Sequence, residues 1–351
     1  MGINAMKGSF GIGLQANKGV AAGTIQYIQA SNVAINMEQA ATTLGPEVGG
    51  RMWSSQSYKT GVMVAGDATF NLRANTVGYL LRAFAGSATS DASGEAYKHS
   101  FFEADDVAFI PWLTLVRNVS DVWTEQYVDC RVDSMRLDIP AAGIATATFG
   151  FVGITPSEIS NPTEAWDNSP LFESCVGEVK LEGDASYKVT RLTLDFSNNL
   201  TRDEQSVGNY FLDDISMVRR ACRVTIDTFL KDAAWYRKVY NNGGTSWSPM
   251  VYGGELDVEV QSAKYVVGTT RASMRFDRPN IDWLIFPVSL AGNDIVRVTM
   301  TAELRRVLFR SPLSSQSPTC RGCRSTSSSP TTKLATRSAN SQVGWVTPAH
   351  R

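Results

Sequence analysis

The segment Ser134-Met135-Arg136-Leu137-Asp138-Ile139-Pro140 returns 139 residues later as Ser273-Met274-Arg275-Phe276-Asp277-Arg278-Pro279. Five of the seven positions are identical, and a sixth exchanges Leu for Phe. Both copies alternate apolar and polar side chains, which a strand sends to opposite faces. Working outward, a second match precedes each copy. Ala68-Thr69-Phe70-Asn71-Leu72 leads into a helix-like run, Asn75–Phe84, and Val224-Thr225-Ile226-Asp227-Thr228 leads into Lys231–Tyr240, an offset of 156. A weaker third match pairs Val33-Ala34-Ile35-Asn36 with Leu192-Thr193-Leu194-Asp195, an offset of 159. The matches keep their order, so the length differences fall in connections and the chain reads as two related halves.

Val77, Leu80, Leu81 and Phe84 fall at helical spacing and predict one apolar face. Asn75 or Thr76 is expected to cap this helix and Gly86 to end it, with Asp232 capping the second. Alternation predicts strands at 62–72, 107–116, 122–138, 144–152, 188–196, 219–229, 255–260, 281–290 and 295–304. Such alternation belongs to antiparallel sheets with one wet face. Residues 118–121 read as a hairpin turn, and the Gly/Ser-rich run 86–94 as a surface loop. The expected fold is mainly β: two tandem antiparallel β-sandwich or barrel repeats, each with one flanking α-helix. The expected boundaries are an N-terminal arm over 1–24, a first β domain over 25–155, a linker over 156–172, a second β domain over 173–304, and a tail over 305–351. The arm is rich in Gly and Ala, is expected to supply little core, and is expected to stay mobile until a neighbour orders it.

Charge divides the chain at the same place as that tail. The net charge of −1 conceals eight basic and no acidic residues after Glu303, leaving 25 Lys and Arg against 34 Asp and Glu before residue 305. An acidic body argues against tight binding to phosphate backbones. The tail reads as disordered by composition, or as non-native, because Arg305–Ser311, RRVLFRS, matches the translation of a common sequencing adapter. No apolar run is long enough for a membrane helix and no signal-peptide core opens the chain, so assembly in a cytoplasm without a membrane partner is expected.

Catalytic and metal signatures are sparse. His99 lacks a recognisable nucleophile motif, and Asp105-Asp106 and Asp213-Asp214 read as solvated turns rather than an acid pair. Cys320 and Cys323 have the spacing of half a zinc site, without the other half. The expectation is no enzyme, no cofactor and no metal. Trp53, Trp112, Trp123, Trp166, Trp235, Trp247 and Trp283 leave open a carbohydrate-binding or decoration β-sandwich, although most read as core.

The order of elements over residues 8–304 resembles the tail tube proteins of long-tailed phages. Phe10–Gln15 and Gly19–Thr24 are similar to the Gly-rich start of one such family. The resemblance implies a structural virion protein of the tail that self-assembles into stacked rings. It implies a trimeric ring with pseudo-sixfold character for a duplicated subunit, contacts with other tail proteins, and DNA passing without tight binding. Two long segments, 38–61 and 198–218, lie between early strands of their halves and suit contacts between subunits, the other reading being that they shield their own barrels. The contact candidates are Arg51, Trp53, Tyr58, Tyr210 and Phe211.

Overall fold

The computed structural model describes residues 7–45, 48–49, 56–93, 96–103, 110–120, 122–161, 163–184, 187–267, 270–288, 297–304 and 342–348. Its strands in the first half are β1 (Ser9–Leu14), β2 (Gln26–Ile28), β3 (Ala30–Val33), β4 (Asn36–Thr43) and β5 (Ser57–Asn71), followed by helix α1 (Val77–Ala85), then β6 (Gly86–Ser93), β7 (Ala96–Glu103), β8 (Leu113–Val119), β9 (Trp123–Pro140) and β10 (Thr146–Ile159). The second half holds β11 (Phe172–Leu181), β12 (Val189–Ser197), β13 (Ala221–Phe229), helix α2 (Ala234–Asn241), β14 (Tyr252–Val267), β15 (Thr270–Ile285) and β16 (Arg297–Leu304), and a last strand, β17, spans Gln342–Pro348. The protein is mainly β, the ladders between named strands are all antiparallel, and they do not close a barrel.

Upstream, the ladders run β3-β5-β10-β9-β8-β1. Downstream they run β12-β13-β16-β15-β14-β11. One buried apolar cluster, from Phe10 to Ala302, passes through both halves. Alternation explains which side chains enter it. On β13, Cys222, Val224, Ile226 and Thr228 point inward while Arg223, Thr225 and Asp227 stay wetter.

α1 buries Val77, Leu80, Leu81 and Phe84 as the spacing predicts, and Gly86, at φ 96°, ends it by donating its N–H to Arg82 O. No side chain caps its start; Asn75 instead donates to Asp167 Oδ1 at 3.3 Å. In α2 the capping position falls to Ala233, which has no side-chain bond to offer, and Asp232, one residue earlier, accepts the Ala234 N–H through Oδ1 at 2.8 Å. Close to the turn expected at 118–121, Val122 N–H bonds Val119 O between β8 and β9, and Ser120 sits at φ 50°.

Three expectations need correction. The Gly/Ser-rich run 86–93 is strand β6, not a loop, because it pairs residue for residue with β7. Ser9–Leu14, expected within a core-poor arm, is a sheet strand that buries Phe10 and Ile12. Gly11 and Gly13 allow this: a Cβ at Gly11 would lie 2.4 Å from Ile25 Cγ2, and one at Gly13 would lie 2.6 Å from Ala22 Cβ, so the returning chain covers that face directly. Third, the two copies of the Ser-Met-Arg motif hold different places. Ser134–Asp138 lies between β10 and β12, whereas Ser273–Asp277 pairs with β14, and its last four residues meet β17. The copies sit at opposite ends of their strands: Ser134–Pro140 closes β9 and meets the first residues of β10, Thr146–Gly150, whereas Ser273–Pro279 lies near the start of β15, away from Ile281–Ile285 where β16 pairs.

Candidate assembly surfaces

The two halves meet along β9. Its first part pairs with β8, and its last seven residues, Ser134–Pro140, receive β12 on the same edge. Leu137, Leu192 and Leu194 are buried there. On the wet side Arg191 holds Asp138 by two bonds, Nε to Oδ1 at 2.8 Å and Nη2 to Oδ2 at 2.7 Å, and Arg136 lies 3.6 Å from Asp195. The Arg191 bonds hold the Asp138 carboxyl below its ordinary range. Above the joint, Phe84 meets Phe196 edge-on at 5.8 Å, and Arg220 donates to Phe84 O and Ala85 O, the last carbonyls of α1.

A second contact between the halves is the segment 198–218. It folds over the first half: Asn198 N–H bonds Asp133 O, Leu200 N–H bonds Asp133 Oδ1, and Arg202 pairs with Asp133 at 3.0 Å. Further along, Val62 N–H bonds Tyr210 O at 2.8 Å, and Gln205 reaches Thr60 O at 3.1 Å. Beneath the segment, Leu200, Leu212 and Ile215 bury themselves against Val152 and Ile154, with Phe211, Met63 and Trp112 packed alongside. Arg131 is buried, lies 3.7 Å from the Trp112 ring centre, and donates to Ile215 O at 2.6 Å. Lys18 covers Trp112 at 5.0 Å and pairs with Asp214 at 3.2 Å.

The counterpart segment, 38–61, is a different object. Its two ends are the arms of a hairpin in which β4 pairs with β5 from Asn36↔Ala65 to Thr43↔Ser57. All eight β4 residues are exposed, and among the described residues the outer edge of β3 and β4 pairs with nothing.

The five contact candidates therefore separate. Arg51 and Trp53 lie outside the described residues. Tyr58 is 51% exposed on the hairpin, and Tyr210 is 61% exposed on the docked segment. Phe211 packs inward. Sequence reading missed Asp133, Arg131 and Arg220, which carry the contacts between halves; no local motif marks them, since each acts on a backbone carbonyl or amide distant in sequence. Of the chemical candidates, His99 binds Ser90 Oγ at 2.8 Å on the β6–β7 hairpin and stacks on Tyr97. Asp213 accepts from Asn209 Nδ2. Asp105, Asp106, Cys320 and Cys323 lie outside the described residues. Trp235 and Trp283 are buried against each other at 5.0 Å, as their strand and helix positions predict, while Trp247 is exposed.

One wet face crosses β9, β12, β13 and β16. It presents Arg136, Arg191, Arg223 and Arg297 beside Asp138, Asp195, Asp227 and Glu303. Arg223 pairs with Glu303 at 3.3 Å, Asp227 accepts from Thr299 Oγ1 at 2.7 Å, and Arg297 lies over the Phe229 ring.

Among the described residues the sheet system leaves one strand edge unpaired and one hairpin strand exposed. The model of the phage tail tube protein family matches residues 7–303. The chain belongs to the phage tail tube protein family. That family is structural, so the activity expected of this chain is assembly in the virion tail, with itself and with other tail proteins, rather than catalysis. No curated protein matches the chain. The tail tube match ends one residue before the last residue of β16. Among the described residues no helix is long and apolar enough to cross a membrane.

Proposed function

We propose that copies of this tail tube protein join side by side into a ring of three subunits with pseudo-sixfold character, and that stacked rings form a conduit for DNA. The observation that carries this reading is the β9–β12 joint: within one chain, a strand of the second half extends the sheet of the first. Each half pairs its strands in the same order and places its helix after the corresponding strand, β5 or β13, which supports reading them as repeated units. Three copies would then supply six such units, and each edge covered by a neighbour is removed from solvent.

The wet face of β9, β12, β13 and β16 is the surface we assign to the lumen. Three of its four arginines, Arg136, Arg191 and Arg223, already pair with carboxylates, so phosphate would have to displace those partners before gaining a contact there. This refines the expectation of an acidic, repelling wall to a charge-balanced one. Tyr58 and Tyr210, with Arg51 and Trp53, are proposed to meet other subunits. The segment 305–351 is proposed to be foreign to the tube subunit, in keeping with a family match that stops at 303, although Gln342–Pro348 within it pairs with β15 and β7 as β17. Assembly is proposed to take place in the cytoplasm of the host bacterium. Negative-stain microscopy of the full chain tests the assembly reading: stacked rings or tubes are expected, and a monomer at every concentration overturns it.

A further inference from the structure

The two helices end in different ways. α2 is closed by the loop that follows it: Gly243 N–H bonds Arg237 O at 2.9 Å, Gly244 N–H bonds Asn241 O at 3.0 Å, and Ser248 N–H bonds Tyr240 O at 3.0 Å. α1 instead passes directly into β6 at Gly86. Its Phe84 and Ala85 carbonyls are met from the other half of the chain, by Arg220 Nη2 at 3.3 Å from each. A cation there suits the negative pole of the helix. The same guanidinium lies 5.7 Å from the centre of the Phe84 ring. Two features aim it. The neck of the docked segment pins the backbone just before it: Val218 N–H bonds Asn199 O at 3.1 Å, and Asn199 Nδ2 donates to Arg219 O at 2.6 Å. β13 starts at the residue just after it, where Cys222 pairs with Phe196 and Phe196 with Met135 of β9.

We propose that Arg220 is a positioning residue that fixes the angle between the two halves, and that through this angle it sets how many copies close a ring; the second step rests on the tail tube reading. The β9–β12 ladder is seven pairs long. Adjacent strands twist relative to one another over a range of roughly 10 to 35°, so the ladder alone joins the halves as a hinge. A closed ring of six units needs the same sixth of a turn at every joint, and a spread of that size is enough to admit a fourth copy. The docked segment restrains the hinge at Asp133 and Val62. Arg220 adds a restraint off the line of the ladder, because it holds the end of a helix that packs on β9. Each half of the joint is then completed by the other: the first half lacks a loop to close α1, and the second half supplies the cap.

The test uses full-length chains. Arg220→Met keeps an apolar stem against Phe84 and removes the donors and the charge. The wild type should close rings of three copies, counted by native mass spectrometry and in averaged images, whereas Arg220→Met should give open arcs and rings of mixed copy number. Arg220→Lys keeps a cation by the Phe84 ring and a donor for the carbonyls, and should return the count to three. Arg219→Met, at the exposed neighbouring arginine, is the control and should leave the count unchanged. Uniform three-copy rings from Arg220→Met overturn the inference and leave the tail tube reading standing; a wild type that forms no rings overturns that reading instead. A second readout needs no assembly. With Cys175→Ser, Cys320→Ser and Cys323→Ser in place, spin labels at Tyr79→Cys on α1 and Tyr236→Cys on α2, both exposed sites, report the distance between the halves in the dilute monomer. One narrow distance is expected with Arg220 and a broadened or shifted distribution with Arg220→Met; the same narrow distance in both overturns the positioning role. Arg220→Gln, shorter and uncharged, replaces Arg220→Met in both readouts if the latter fails to fold.

Discussion

The segments 198–218 and 38–61 occupy comparable places, each beside the strand that leads to a helix, yet one is docked and the other stands free. The first lies against the other half of its own chain, with Ile215 fully buried and Asp133 accepting from two of its backbone amides. The second is a hairpin whose β4 strand is exposed along its whole length. The difference is one of available partners. A segment of the second half finds the first half within its own chain, whereas the hairpin of the first half has no earlier half to lie on. In the proposed ring a neighbouring copy would supply one.

The largest effect that would break this contrast is expected at Ile215. Ile215→Ala removes a buried branched side chain from the patch under the docked segment and should destabilise the isolated chain by about 2–4 kcal/mol in urea titration. Arg131→Ala comes next. It removes the guanidinium that holds Ile215 O and covers Trp112, at about 2–3 kcal/mol, and limited proteolysis should then cut within 198–218 first. Asp138→Asn should cost under about 1 kcal/mol near neutral pH, because its Arg191 partner is half exposed. The Asp138 carboxyl lies below its ordinary value of 3.8 when folded, so its stabilisation is complete above that value and is lost as the pH falls through the lower folded one. The stability gap between wild type and Asp138→Asn should therefore close below about pH 4. Smallest is Tyr58→Ala on the hairpin, within about 0.5 kcal/mol for the isolated chain, although it should weaken the tubes. Equal losses at Ile215 and Tyr58 would erase the contrast.

Much of the fold was legible because period-two alternation and the spacing of Val77, Leu80, Leu81 and Phe84 are local signals. The Ser-Met-Arg identity was legible too, but it misled on placement, since strand partners depend on where the motif sits along its strand, at the end of β9 but near the start of β15, rather than on the motif itself. β6 was hidden by small polar residues, whose pairing with β7 overrode their preference for turns. Of the contact surfaces, the two long segments were visible by length. That one docks and the other projects was not, because docking rests on Asp133, Arg131 and Val62 meeting residues some 70 to 150 positions away.

The most direct test of the central claim is the copy number of an isolated ring, read by native mass spectrometry and checked against averaged images of the same particles. Three chains per ring, with the β4–β5 hairpin of each lying on its neighbour, is the predicted result. Six chains per ring, or three chains whose hairpins fold back onto their own second halves, would contradict it.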